Sequence, residues 1–437
     1  MKVRRFILPL AFLVSGCASV APMPPENIAA PEMSVAGISD AYIRLTLEAG
    51  THEAEYVDAY YGPPALLSAA KANPRSLAEL IAEARALTVA VDVALPTLQI
   101  ESDRRRAIAL RGMLVAADTR LQMLQGRKFA FNDEAKGQFA TVPDLKPLAH
   151  YDATLANLET LIPGDGPLAA RVDAFNERFT ISKDRLQPVF DAAIAECKRR
   201  TAQYLNLPAG ETFAMDFVTG KPWSGYNYYK GNYKSLIQIN TDLPIRISRA
   251  VDLGCHEGYP GHHVLNLMVE ERLARKNGWK EYEVNPLYSP TSVLSEGSAN
   301  YGIDLAFPAA ERLAFERDVL YPLAGLDPKT AEAYWNMQQM TETLSGARLT
   351  IAKMYLDGEV SRLQALELTQ KYLLLSPARA EQSVKFTDHY RSYVINYGWG
   401  KDLVRDYIER GNPDPAERWR RMEKILSEPT QPSDLLP

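Results

Sequence analysis

"ESDRRRAIALRGMLVAADTRLQMLQ" occupies residues 101–125. Its apolar residues return at three- and four-residue intervals and its charges fall on the opposite face, which predicts a long amphipathic helix. "SLAELIAEARALTVAVDVAL" (76–95) and "TISKDRLQPVFDAAIAECKRRTAQYL" (180–205) repeat that spacing, with Pro188 at a helix start or kink. Alanine, leucine and glutamate are plentiful, which favours helix. Residues 39–205 therefore read as a helical scaffold, with Ser39 as the N-cap of its first helix.

The period changes at "ETFAMDFVTG" (211–220) and "SGYNYYKGNYKSLIQINTDLP" (224–244). Tyr, Phe, Thr and Ile between Gly and Asn breaks predict a few strands, with a hairpin turning at Lys230-Gly231-Asn232. Helices then return, and Asp327-Pro328 predicts the start of a long helix ending near Gly358. The expected fold is mainly α: a large helical scaffold with a small β-sheet just before the histidine-rich segment at 256–263. Residues 206–437 form the half that carries that segment, continuous with the scaffold in one globular unit over 39–437.

The first residues read as an export signal. "MKVRR" is basic, and "FILPLAFLVSG" is apolar but too short to span a bilayer. The run ends in "LVSGC", which resembles the bacterial lipoprotein cleavage box and implies lipidation at Cys17. Acyl chains there would anchor the chain to a membrane without a spanning helix. Ala18, rather than Asp, after the cysteine favours the outer membrane by the same resemblance, with the protein facing the periplasm. Residues 18–38 carry four prolines among small residues and read as a flexible tether. Cys197 and Cys255 could pair in an exported protein, but two cysteines make no disulfide framework. Cys255 is expected to be a small buried apolar residue. With 49 basic and 54 acidic residues the chain has no nucleic-acid footprint.

Three of the six histidines fall in "HEGYPGHH", 256–263. Zinc prefers imidazole and carboxylate ligands around an open position. In His-Glu-x-x-His, one helical turn puts both histidines on one face, and the glutamate beside the first acts as general base. Here Pro260 stands where the second histidine belongs. A continuous helix would separate His256 and His262 by about 9 Å of rise and turn them apart. Pro260, with Gly258 and Gly261, predicts a break or bulge that returns His262 to the missing place. The alternative is a polar patch or surface turn.

The pattern His-Glu-x-x-Pro-Gly-His, carried by His256, Glu257, Pro260, Gly261 and His262, resembles the signature of a bacterial family catalogued as domain of unknown function 885. That family is similar to zinc-dependent peptidases of the gluzincin type. The resemblance implies Zn2+ held by His256 and His262, with Glu257 as general base. His263, outside the core pattern, reads as supporting, substrate-facing or structural. "SVLSEGSANYGIDLAF" (292–307) resembles the family's downstream Glu-Gly-Trp-Ala segment with Ser298 for the tryptophan, and implies Glu296 as third ligand. Asn300 and Asp304, one and two turns along that face, or Asp252, one turn before His256, could each hold a ligand histidine by its second nitrogen.

In "HYRSYVINYGWGKDLV" (389–404), Tyr397 and Gly400 match the family's Tyr-x-x-Gly step. Tyr397 becomes the candidate oxyanion donor, with His389 and Arg391 as further candidates for that role or for a substrate carboxylate. The tyrosine-rich strand could form the cleft edge that aligns an extended peptide. Two departures bear on the substrate side: Phe386 replaces a frequent arginine, and "TIAKMYLDGEV" (350–360) lacks an Asp and a His common after Ala347-Arg348-Leu349. The implied activity is metal-assisted hydrolysis of peptides or small amides. The alternatives are a non-catalytic metal- or ligand-binding lipoprotein of the periplasm and an amidohydrolase on non-peptide amides.

Overall fold

The computed structural model of the chain describes residues 33–221 and 223–437. The signal, Cys17 and most of the tether lie outside the described residues. Helix α1 (Val35–His52) starts before the boundary that the tether reading sets at residue 38. Its N-cap is Ser34, whose hydroxyl accepts from the Gly37 amide at 3.2 Å, rather than Ser39. Ser39 sits inside the helix, where its hydroxyl donates to Glu281 at 2.6 Å. Both serines precede apolar residues at helical spacing. The cap is the one whose oxygen is free to take a first-turn amide.

Strand β1 (Val57–Tyr60) follows, then helices α2 (Leu77–Ala94) and α3 (Glu101–Leu124). Ser76 and Glu79 cap α2 reciprocally. The two helices pack together and against α1, burying Leu80, Leu87, Leu110 and Leu114. Helix α4 (Leu186–Thr201) carries Pro188 in its first turn, where a missing amide leaves no bond unmade.

The tyrosine-rich region forms β2 (Thr212–Val218), β3 (Gly225–Tyr229) and β4 (Lys234–Asn240) in the order β2-β4-β3. β3 and β4 are antiparallel, and β2 lies parallel to β4. The hairpin turns through Lys230–Tyr233, with positive φ at Gly231, Asn232 and Tyr233. β3 is an edge strand.

Helix α5 (Ser248–Leu253) leads into a π-type turn over Gly254–Gly258, and helix α6 (His262–Met268) follows. Strand β5 (Val284–Pro286) pairs antiparallel with β1, a pairing without a sequence signal. Helix α7 (Pro290–Ala306) lies against α10 (Ile395–Glu409), and a glycine pair sets how closely. A Cβ on Gly297 would stand 2.4 Å from the Gly400 carbonyl oxygen, so side chains there would force the helices apart. Gly400 is therefore a packing residue.

The long helix expected from Asp327 to Gly358 is two helices. Asp327 does cap the start, accepting from the Lys329 amide at 3.0 Å. The first helix ends at Glu342, and α8 (Ala347–Leu356) begins afresh. Thr341 and Thr343 bond back to carbonyls of their own turn, and Gly346 is pressed against the Tyr151 hydroxyl. Helix α9 (Pro377–Tyr390) precedes α10. The main core draws on residues from Ile38 to Leu435, and a second cluster gathers around Tyr151, Met337, Ile351 and Tyr372. Residues of both line one large cleft. No helix among the described residues is long and apolar enough to cross a membrane.

Candidate metal centre

The turn after α5 is anchored from behind. Cys255 is wholly buried and forms a disulfide with Cys197 of α4, which corrects its reading as an unpaired apolar residue. Two cysteines 58 residues apart leave no mark of pairing in a sequence. Gly254 passes α4 so closely that a Cβ would sit 3.2 Å from Ile194.

After Gly258 the chain extends through Tyr259 and folds back at Gly261. The Gly261 amide donates to the Cys255 carbonyl at 3.0 Å. A Cβ on Gly261 would lie 1.8 Å from the His256 carbonyl oxygen, so only glycine fits. This return brings His262 to His256: their Nε2 atoms are 3.1 Å apart and their rings are perpendicular.

Glu296, on α7, completes the group. Its Oε2 lies 3.4 Å from His256 Nε2 and 3.6 Å from His262 Nε2, and is buried with no hydrogen-bond partner. A tetrahedral ion with bonds of about 2.0–2.1 Å sets its ligands roughly 3.3 Å apart. The three atoms therefore fit the corners around a zinc-sized cation, and the orphaned oxygen is the sort of atom such a cation would satisfy. Glu257 also brings a carboxylate oxygen within 4.8 Å of both imidazoles. Glu296 approaches them more closely and is the better third ligand, which leaves Glu257 alongside.

Neighbouring groups hold these side chains in place. Ser295 Oγ meets His262 Nδ1 at 3.1 Å and turns Nε2 toward the centre. The Tyr393 hydroxyl donates to Glu296 Oε1 at 3.2 Å. Asn227 of β3 donates to the Glu257 carbonyl at 2.7 Å, and a Cβ on Gly225 would stand 2.7 Å from Glu257 Oε1. The edge strand thus abuts the candidate base. Glu257 is buried, and its Oε2 has no partner.

Burial alone would raise the Glu296 pKa, but His262 and His256 hold the carboxylate well below its usual range. Burial would likewise lower that of His262; Glu296, Glu257 and Asp58 outweigh it and push it up to about 9. Burial raises the Glu257 carboxyl, with His256 and His262 pulling against it. Asp58, on β1, is pushed up to about 7 by burial despite His262. A cluster this acidic favours any cation that enters.

The other candidates divide. His263 is fully buried and faces away, its nitrogens at 2.8 Å from Ser235 Oγ and 2.9 Å from Glu211 Oε2. Both its nitrogens are engaged by the protein, away from the cleft. Asp252 is held by Arg312 at 2.7 Å, not by a histidine. Asn300 donates to the Glu296 carbonyl at 2.8 Å, and Asp304 pairs with Lys401 at 2.9 Å. All three line the cleft, but none orients a ligand histidine; Ser295 does that for His262. His389 is exposed and pairs with Glu55, and Arg391 binds Glu134 at 2.8 Å. Both lie off the cleft, which corrects their reading as oxyanion or carboxylate groups. Tyr397 lines the cleft with no protein partner for its hydroxyl among the described residues, and burial keeps that hydroxyl protonated.

Sequence reasoning missed Ser295, Tyr393, Asp58, Asn227 and Arg348. Ser295 and Tyr393 stand one and four residues from singled-out positions. Asp58 arrives from a distant strand with no local signal. Arg348 Nε is buried without a partner, and its guanidinium covers the Phe386 ring at 5.3 Å. Phe386 thus underlies an arginine rather than supplying one.

No family model matches the chain, and no curated protein matches it. Solved structures do. A candidate lipoprotein from Colwellia psychrerythraea is 15% identical with a TM-score of 0.48, over 91% of this chain and 76% of its own. A candidate lipoprotein of unknown function from Shewanella oneidensis is 14% identical with a TM-score of 0.47, over 85% and 75%. An M32 carboxypeptidase from Deinococcus radiodurans R1 is 13% identical with a TM-score of 0.35, over 90% and 88%.

Proposed function

We propose that this chain is a zinc-dependent peptidase, exported and held by lipid on Cys17 at the outer membrane, facing the periplasm. The observation that carries the reading is the convergence of His256 Nε2, His262 Nε2 and Glu296 Oε2 within 3.1–3.6 Å, with the buried, partnerless Glu257 carboxylate beside them. A purely structural metal site has no use for that second carboxylate. Export is supported by the "LVSGC" box and by the Cys197–Cys255 disulfide, which persists in oxidising compartments.

A bound zinc would supply Lewis-acid polarisation of a carbonyl and acidification of water. The chain's residues supply the rest. Glu257, buried beside the two imidazoles, takes the proton of the attacking water and returns it to the leaving amine. Tyr397, protonated and unengaged, is the donor to the oxyanion. The free edge of β3, touching Glu257 at Gly225, aligns an extended peptide by main-chain bonds. A cleft of about 1380 Å³ has room for several residues.

The test is cleavage of a mixed peptide pool followed by mass spectrometry. The zinc-loaded chain is expected to cut, and Glu257→Gln is expected to lose at least about a hundredfold in rate while keeping its metal. An unchanged rate in Glu257→Gln, or no cleavage by any metal-loaded sample, would remove the peptidase reading.

A further inference from the structure

Seven residues before His256, two turns back along α5 and its π-type extension, stands Arg249. It is roughly 10 Å of helix rise from the metal group. Its side chain lines the same cleft and reaches Ser224 Oγ at 3.3 Å, the residue next to Gly225 where β3 touches Glu257. Arg249 therefore lies beside the start of the strand edge that runs past the candidate base.

Arg249 has one long ion pair and shares its partner. Its nearest carboxylate, Asp252, is 3.5 Å away and already bound by Arg312 at 2.7 Å. Arg379, on α9, lines the same cleft and is tied to Pro244, five residues before Arg249. Its one hydrogen bond is to the Pro244 carbonyl at 3.4 Å, and no carboxylate among the described residues lies within ion-pair distance. A third guanidinium, Arg246, is neutralised by Asp173. Burial, then the like charges of Arg246 and Arg249, lower the Arg379 pKa, against the opposing pull of Asp173, which is bound to Arg246, and of Glu177. A guanidinium with no ion pair beside one with only a long, shared pair leaves this half-buried wall ready to accept a further anion.

We propose that Arg249 and Arg379 form an anion subsite that takes a substrate carboxylate a few residues from the bond to be cleaved. The proposal rests on the peptidase reading for its register. The carboxylate could be an acidic side chain or the peptide's C-terminus; both offer the two oxygens that guanidinium forks bind.

The test uses the zinc-loaded full chain carrying Glu257→Gln, so that peptides bind uncut, and fluorescence anisotropy of labelled alanine-based peptides. Glu is placed at each position in turn against Gln, with the C-terminus free or amidated. One arrangement is expected to bind about tenfold tighter than its neutral counterpart. The gain should vanish in Arg379→Gln and Arg249→Gln, return in part with Arg379→Lys, and leave metal content unchanged. Loss on amidation assigns the C-terminus; loss on Glu→Gln assigns a side chain. Equal binding of neutral and charged peptides, no binding of either, or a gain that survives both variants but falls in Arg348→Gln overturns the subsite. Cleavage by the unmutated chain without charge preference leaves the peptidase reading standing alone. Charge-dependent binding without any cleavage leaves the subsite and removes the peptidase reading.

Discussion

His262 and His263 are neighbours in the chain and occupy opposite worlds. His262 looks into the cleft, where Glu296 offers it an oxygen that no hydrogen bond satisfies. His263 looks into the protein, where Ser235 and Glu211 take both its nitrogens, and Lys198 and Tyr259 complete Glu211. On a helix, consecutive side chains project about 100° apart, so one fold can use adjacent imidazoles for unrelated ends. His262 has an unfinished set of partners and His263 a finished one, and the proposed metal role falls to the first.

The harshest way to break this contrast is to refuse the backbone return that creates it. Gly261→Ala places a Cβ against the His256 carbonyl. It is expected to cost at least about 3 kcal/mol in denaturant unfolding and to abolish stoichiometric metal binding. Cys197→Ser frees the turn from α4 and is expected to cost about 2–4 kcal/mol under the same assay. His263→Phe should cost about 2–3 kcal/mol, because Glu211 and Ser235 lose a buried partner, yet leave the metal ligands in place. His262→Ala should differ in losing the metal, while costing about 1–3 kcal/mol in the metal-free protein because buried Glu296 loses a counter-charge.

Two subtler changes sharpen the same contrast. Tyr393→Phe removes the donor that steadies Glu296, and metal affinity is expected to fall about tenfold. Acidification should weaken metal binding too. The raised pKa of His262, about 9 in the metal-free protein, means that below that pH a proton must leave before a metal can bind. Apparent affinity is therefore expected to drop about tenfold per pH unit from 9 downward, flattening above it. Chelator competition between pH 6 and 9 reads this directly; a flat profile would take His262 out of the ligand set.

What was legible in the sequence was what is local. Helical spacing located α2, α3 and α4, and the Gly-Asn break located the hairpin between β3 and β4. Prolyl and glycyl residues at 258–261 announced that the helix must fail between the two histidines. What was not legible depends on partners from elsewhere in the chain. Asp58 reaches the site on a strand pair whose halves are far apart in sequence. The Cys197–Cys255 bond needs α4 beside the turn. Arg391 and His389 have the right chemistry for an oxyanion or a carboxylate, but Glu134 and Glu55 claim them. The break before α8 likewise reflects Tyr151 pressing on Gly346, which no helical periodicity reports.

His256, His262 and Glu296 are proposed to hold one metal while His263 does not. Elemental analysis of the purified full chain and of His256→Ala, His262→Ala, Glu296→Ala and His263→Phe tests it most directly. Near one zinc per chain, lost in the first three variants and kept in the fourth, is the expected result. Zinc kept in His262→Ala and lost in His263→Phe, or no metal in any sample after zinc addition, would contradict it.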